Sequence, residues 1–230
     1  MNLAERTGRI VLDDLDPAFV ESLGNFAAWE YSTFYETLSA DSSLTPELRL
    51  DLFRSGRGLV MNRAIVRAAN KHGIPFEVRR LACNGQSKLM VKVGRVILIS
   101  EALKTMWDKP KAADYKREIS GCYGIIQQLE FDLGDRPKQL LDWSDGVLGV
   151  ILHGAAGMRF RRSECELGAF ILGLPDAEYQ SWLMRLDLHD IAMFGVTHSS
   201  KPQPAYDEYE QEDRVIVKRR SVRQIERSNG

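Results

Sequence analysis

The chain has 230 residues, 44% of them hydrophobic and 27% charged, with a formal net charge of −1. This length and apolar share suit one large domain with a packed core, and they exclude a chain disordered throughout. No apolar run approaches the roughly 20 residues a membrane helix needs, and Met1 to Arg6 lack the basic-then-apolar pattern of a secretory leader, so neither is expected.

In chain order, Arg9–Leu12 reads as a short strand. Asp16-Pro17 is a helix start, with Asp as N-cap and Pro in the first turn. A short helix over Phe19–Leu23 is expected to stop at Gly24-Asn25. A second follows, with Phe26, Trp29, Phe34 and Leu38 near helical spacing. Thr45-Pro46-Glu47 opens a third on the same grounds. Arg54-Ser55-Gly56-Arg57-Gly58 is expected to interrupt it, since two glycines cost about 2 kcal/mol relative to alanines. The helix resumes at Leu59, ends at Gly73, and Pro75 prevents its continuation.

Three strands are then expected at Phe76–Cys83, Lys88–Val93 and Val96–Ser100, with Asn84-Gly85 and Gly94-Arg95 as turns. In the second, Leu89, Val91 and Val93 face one way and Lys88, Met90 and Lys92 the other. The third is a continuous apolar run, as in a central strand buried on both faces. A helix over about 112–129 follows, broken at Gly134–Pro137. Val147–Leu152 and Leu167–Leu174 read as strands on either side of a loop, His153–Glu166. Pro175-Asp176 opens a helix containing Tyr179, Trp182, Leu183 and Leu186, with a further helical stretch toward Phe194. Residues 197–230 read as a linker and charged tail, with an acidic run at Asp207–Asp213. The mixed order implies an α+β fold: one domain over 1–196, whose mixed sheet has an antiparallel-leaning three-strand segment at about 76–100 flanked by helices.

Charge is uneven along the chain. Residues 1–45 hold two basic and eight acidic residues, and residues 46–95 hold eleven basic and three acidic, or +8. Arg63, Arg67 and Lys71 are spaced four apart on one helix face, and Arg79, Arg80, Lys88 and Lys92 follow on the strands. Clustered cations bind polyanions by releasing counterions. A solvated face, or pairing with the acidic residues 1–45, is the alternative. No aromatic interleaves the basic residues, so base stacking is not implied.

Two further anion-binding candidates stand out. Arg54 and Arg57 flank the expected helix restart, where free N–H groups would point at an anion. The loop from His153 to Arg162 carries His153, Arg159, Arg161 and Arg162, and loops at strand ends often carry function. His153 has the chemistry of an acid or base near neutral pH, but with no partner evident in sequence a structural or hydrogen-bonded histidine is the reading preferred. Glu130, Asp132, Asp135, Asp142 and Asp145, and separately Asp187, His189 and Asp190, lack any metal-ligand spacing, so no metal and no cofactor is expected. Cys83, Cys122 and Cys165 form no CxxC pair and suit a reducing, cytoplasmic setting.

In topology alone, the order helix, three strands, helix, strand over 46–152 resembles the core of restriction-endonuclease-like nucleases. That family carries an acid on the second strand and Glu-x-Lys on the third. Here Lys88–Val93 has no acid, and Glu101 is followed at 103 by Leu, so the resemblance implies no catalytic residue. The sequence therefore points to a nucleic-acid-associated regulatory or accessory protein binding through residues 54–95. The alternatives are an interaction or inhibitor protein acting as an oligomer, and an enzyme using the 153–162 loop. The partners to expect are nucleic acid, another protein or a second copy, and no membrane.

Overall fold

A computed structural model describes residues 3–80, 87–103, 110, 146–176 and 178–194. The helix expected at 112–129, the acidic residues of 130–145, Cys83, Cys122 and the segment 197–230 lie outside the described residues.

Three helices come first: α1 (Leu3–Asp14), α2 (Pro17–Ala40) and α3 (Pro46–His72). The segment read as a strand at Arg9–Leu12 belongs to α1. Its β-branched residues mislead because Thr7, Val11 and Leu15, four apart, are the ones that become buried. Asp16 caps α2 by accepting from the Ala18 amide (2.9 Å), and Thr45 caps α3 by accepting from Leu48 (3.3 Å). Gly73, at φ +64°, closes α3 in the left-handed region.

Both glycine interruptions are overturned: α2 and α3 each run unbroken. A Cβ on Gly56 would lie 2.5 Å from the Phe34 ring, and one on Gly24 would lie 3.4 Å from Phe170. These glycines sit where a ring from another element covers the helix. The propensity cost is offset by close packing. Without a break there is no helix N-terminus at Gly58 and hence no cluster of free N–H groups there.

Among the described residues the sheet has six strands in sequential order: β1 (Phe76–Arg80), β2 (Ser87–Val93), β3 (Val96–Ala102), β4 (Val147–Ala155), β5 (Leu167–Pro175) and β6 (Trp182–Asp187). All neighbours are antiparallel except β3 and β4, which run parallel, Val96 beside Val147 through Ala102 beside His153. The α+β class and the antiparallel segment at 76–100 are therefore present. The β2–β3 turn is Gly94-Arg95, with φ +55° at Gly94 alone, the pattern of a type II′ turn. Asp14, at the end of α1, accepts from the Arg95 amide (2.6 Å), Nε (2.8 Å) and Nη2 (2.7 Å). The Arg95 hydrogen bonds hold the Asp14 carboxyl below its usual range, against the opposing effect of burial.

The helix expected from Pro175 is instead a hairpin into β6. Asp176 folds its carboxylate onto the amides of Gln180 (2.7 Å) and Ser181 (2.9 Å), and Tyr179 adopts φ +56°. Pro-Asp is as good a turn start as a helix start, and the open edge of β5 supplies ladder partners that only a strand can use. The chain then forms α4 (Leu188–Phe194).

The alternation expected in β2 sets up two cores. Leu89, Val91 and Val93 join Val96, Leu98, Ile151, Phe170 and Leu172 against the helices. Met90 joins Ile97, Ile99, Leu148, Val150 and Leu152 on the other face. The helix-facing core includes Phe19, Leu23, Tyr31, Phe53 and Ile65, all 2% exposed or less.

Candidate functional site

The middle of α3 lies against the loop joining β4 to β5, and between them is a groove of about 490 Å³. From α3 it is lined by Asp51, Arg54, Ser55 and Arg57, and from the loop by Gly157 and Arg159. Leu50, Phe53, Met158 and Ala155 supply apolar wall, and the Cys165 thiol also borders it. Two anion-binding candidates separated by about a hundred residues thus meet at one place. Arg54 Nη2 donates to the Met158 carbonyl (3.0 Å), tying helix to loop directly.

The loop is held by its own hydrogen bonds. Ala156 N–H donates to Glu166 O and Gly157 N–H to Glu164 O, both at 2.9 Å. The Glu164 carboxylate accepts from the amides of Met158 (3.1 Å) and Arg159 (2.8 Å). A short 3₁₀ turn, Arg162–Glu164, completes the return. A Cβ on Gly157 would come within 2.6 Å of Glu164, so only glycine permits this approach. Phe160 anchors the loop between Tyr35 (4.8 Å) and Phe53 (6.2 Å).

Arg57 is half-buried, and its Nε donates to the Arg54 carbonyl (3.3 Å). Among the described residues no carboxylate pairs with Arg54, Arg57 or Arg159, whereas Arg162 pairs with Glu36 (3.0 Å) on the surface. Arg161 is exposed on the same loop.

His153 lies on β4 between Ala102 and Phe170 of the neighbouring strands, wholly inside the helix-facing core. Its Nδ1 shares a 2.7 Å hydrogen bond with the Tyr31 hydroxyl, and its Nε2 is buried without a partner. Burial first, then the charges of Arg57 and Lys88, push its pKa down to about 3, so the ring is neutral at physiological pH. Burial drives the Tyr31 hydroxyl the other way, well above its usual range. Burial likewise raises the Cys165 thiol, which favours the unreactive protonated form.

The basic stripe follows the α2–α3 seam. Arg63 (2.9 Å) and Arg67 (3.2 Å) both reach Glu30, whose side chain is only 1% exposed. The Arg67 contact is an ion pair too poorly aligned for a hydrogen bond, so Glu30 Oε1 has none. Lys71 donates to Ser22 Oγ (3.0 Å), and Lys88 donates to the Ser100 carbonyl (2.9 Å). Lys92 is half-buried on β2. Arg79 and Arg80 lie on β1 with side chains outside the described set. Arg63 and Arg67 remain 51% and 45% exposed, so each offers a face to solvent. The helix pairing also brings in the aromatic that linear order leaves out: Trp29 of α2 lies 4.4 Å beneath the Arg67 guanidinium.

Among the described residues no group of three His, Cys, Asp or Glu side chains would hold a metal, which covers Asp187, His189 and Asp190. Nor is any described helix long and apolar enough to cross a membrane. Sequence reasoning missed Tyr31, Asp51, Met158 and Glu164, for which local pattern carries no signal. No protein-family model, curated protein or solved structure matches this chain.

Proposed function

We propose that this chain is a nucleic-acid-associated binding protein that grips backbone phosphates with Arg54, Arg57 and Arg159. One observation carries the reading: two guanidiniums from α3 and one from a loop about a hundred residues away share one groove, and Asp51 is the only acid lining it among the described residues. Guanidinium groups match phosphate oxygens in a two-pronged geometry and stay charged at any working pH. Arg63 and Arg67, less one charge for Glu30, add a weaker positive field along the same helix. His153 is enclosed and neutral and Cys165 is held as the thiol, which favours binding over acid–base chemistry at this groove.

The test is binding of a labelled oligonucleotide across a range of salt concentrations. Each lost phosphate contact removes about 0.7 from the salt slope on a single strand. Replacing Arg54, Arg57 and Arg159 together by Gln should therefore flatten the slope by about 2. An unchanged slope, with the variant folded, would sink the reading.

A second reading has its own observation. Leu48, Leu52 and Leu59 are 46%, 38% and 66% exposed and share one face of α3, as in a helix that pairs with a second copy. Sedimentation of the wild type and of Leu59→Glu at matched concentrations separates a self-associating chain from a monomer.

A further inference from the structure

We infer that the groove between α3 and the β4–β5 loop takes one unpaired nucleotide unit, so that the ligand is a single strand or a free nucleotide rather than a duplex. This rests on the reading of the groove as a phosphate site.

Shape comes first. A duplex presents its phosphates on the outside of a convex cylinder, and proteins meet it with a protruding helix or ribbon. The three arginines here line a concavity of about 490 Å³, within the roughly 300–1,000 Å³ typical of pockets for one small molecule. Only a unit that leaves the stack can enter such a space, as unpaired bases do when proteins read single strands.

The lining also matches a whole nucleotide better than a bare phosphate. Leu50, Met158 and Phe53 give an apolar wall for a flat ring. Met158 is 69% exposed, and its thioether adapts to aromatic faces. Guanidinium planes stack on bases as well as binding phosphates. Asp51 would oppose a ligand that were only phosphate. It has no ion-pair partner among the described residues, and as an acceptor it suits an exocyclic amine or a ribose hydroxyl. Cations for phosphate, apolar wall for base and one acceptor for a donor edge are the three parts a nucleotide requires.

The loop needs no rearrangement to present them. Glu164 already fixes the amides of Met158 and Arg159, and the Arg54–Met158 hydrogen bond already joins the two walls. Such preorganisation reduces the ordering cost of binding.

The experiment uses the full chain and three probes: a labelled short single strand, the same strand in a duplex, and unlabelled AMP as competitor. Met158→Ser, at a side chain 69% exposed, accompanies Arg54→Gln with Arg57→Gln, each checked for folding by circular dichroism. The expected result is single-strand binding at least tenfold tighter than duplex binding, with displacement by AMP. Met158→Ser should weaken it about tenfold, as loss of one stacked base does, without changing the salt slope. Binding of AMP but of neither strand would keep the nucleotide site, assign it to a free nucleotide, and overturn only the nucleic-acid function. Duplex binding equal to or tighter than single-strand binding would overturn this inference and leave the broader reading intact. No binding of any probe would overturn both.

Discussion

His153 and Glu30 are two polar side chains that the fold has taken out of water, with opposite consequences. The folded chain keeps His153 neutral down to about pH 3, while an unfolded chain protonates it near 6.5. Between those values the unfolded state binds a proton that the folded state refuses. Stability should therefore fall as pH falls from about 6.5 toward 3, by roughly 1.4 kcal/mol per pH unit from this group. His153→Gln, which retains an acceptor for Tyr31, should show a shallower decline in urea midpoint over that window. Parallel curves for the two proteins would refute the assignment. Glu30 stays beneath two arginines that can each turn to solvent. Glu30→Gln should cost about 1–2 kcal/mol, readable as a lower denaturation midpoint. A buried pair of two enclosed ions would cost more, but Arg63 and Arg67 rehydrate once released.

At the scale of elements, α3 carries the clearest contest between local preference and packing. Gly56 and Gly58 are equivalent by propensity, and each should gain from replacement by alanine. Packing separates them. A Cβ on Gly56 meets the Phe34 ring at 2.5 Å, whereas one on Gly58 meets nothing within 4 Å. Gly58→Ala should stabilise the protein by about 0.5–1 kcal/mol, and Gly56→Ala should destabilise it by about 1–3 kcal/mol through overpacking. Thermal unfolding of the two variants side by side checks this, and equal shifts would remove the packing account. The same contest explains the elements that local pattern misassigns. Arg9–Leu12 contains the β-branched pair Ile10 and Val11 yet is helical, because burial of Thr7, Val11 and Leu15 outweighs a weak preference. Trp182–Asp187 has helical spacing yet forms β6, because the edge of β5 offers ladder hydrogen bonds.

Across the whole molecule, the groove depends on order as much as on charge. Glu164 is an acid beside a cationic site, so simple Coulomb reasoning says that removing it should strengthen anion binding. Its carboxylate, however, holds the amides that place Met158 and Arg159. Glu164→Ala should weaken oligonucleotide binding severalfold and speed hydrogen exchange at the 158 and 159 amides. Tighter binding with unchanged exchange would mean that charge alone governs the site.

The α+β class, the three strands near 76–100 and the caps at Asp16, Thr45 and Gly73 were determined by the sequence itself, because each rests on neighbours a few residues apart. The paired arginines at 54 and 57 and the Arg159–Arg162 loop were legible as basic clusters on the same local terms. Their meeting in one groove was decided only by tertiary structure, as were the burial of His153, the placement of Glu30 under the basic stripe and the stacking of Trp29 on Arg67. The physical reason is common to all four. Burial and charge pairing depend on which surfaces the sheet and helices bring together, and the local pattern of a chain carries its periodicities but not the distances between its distant parts.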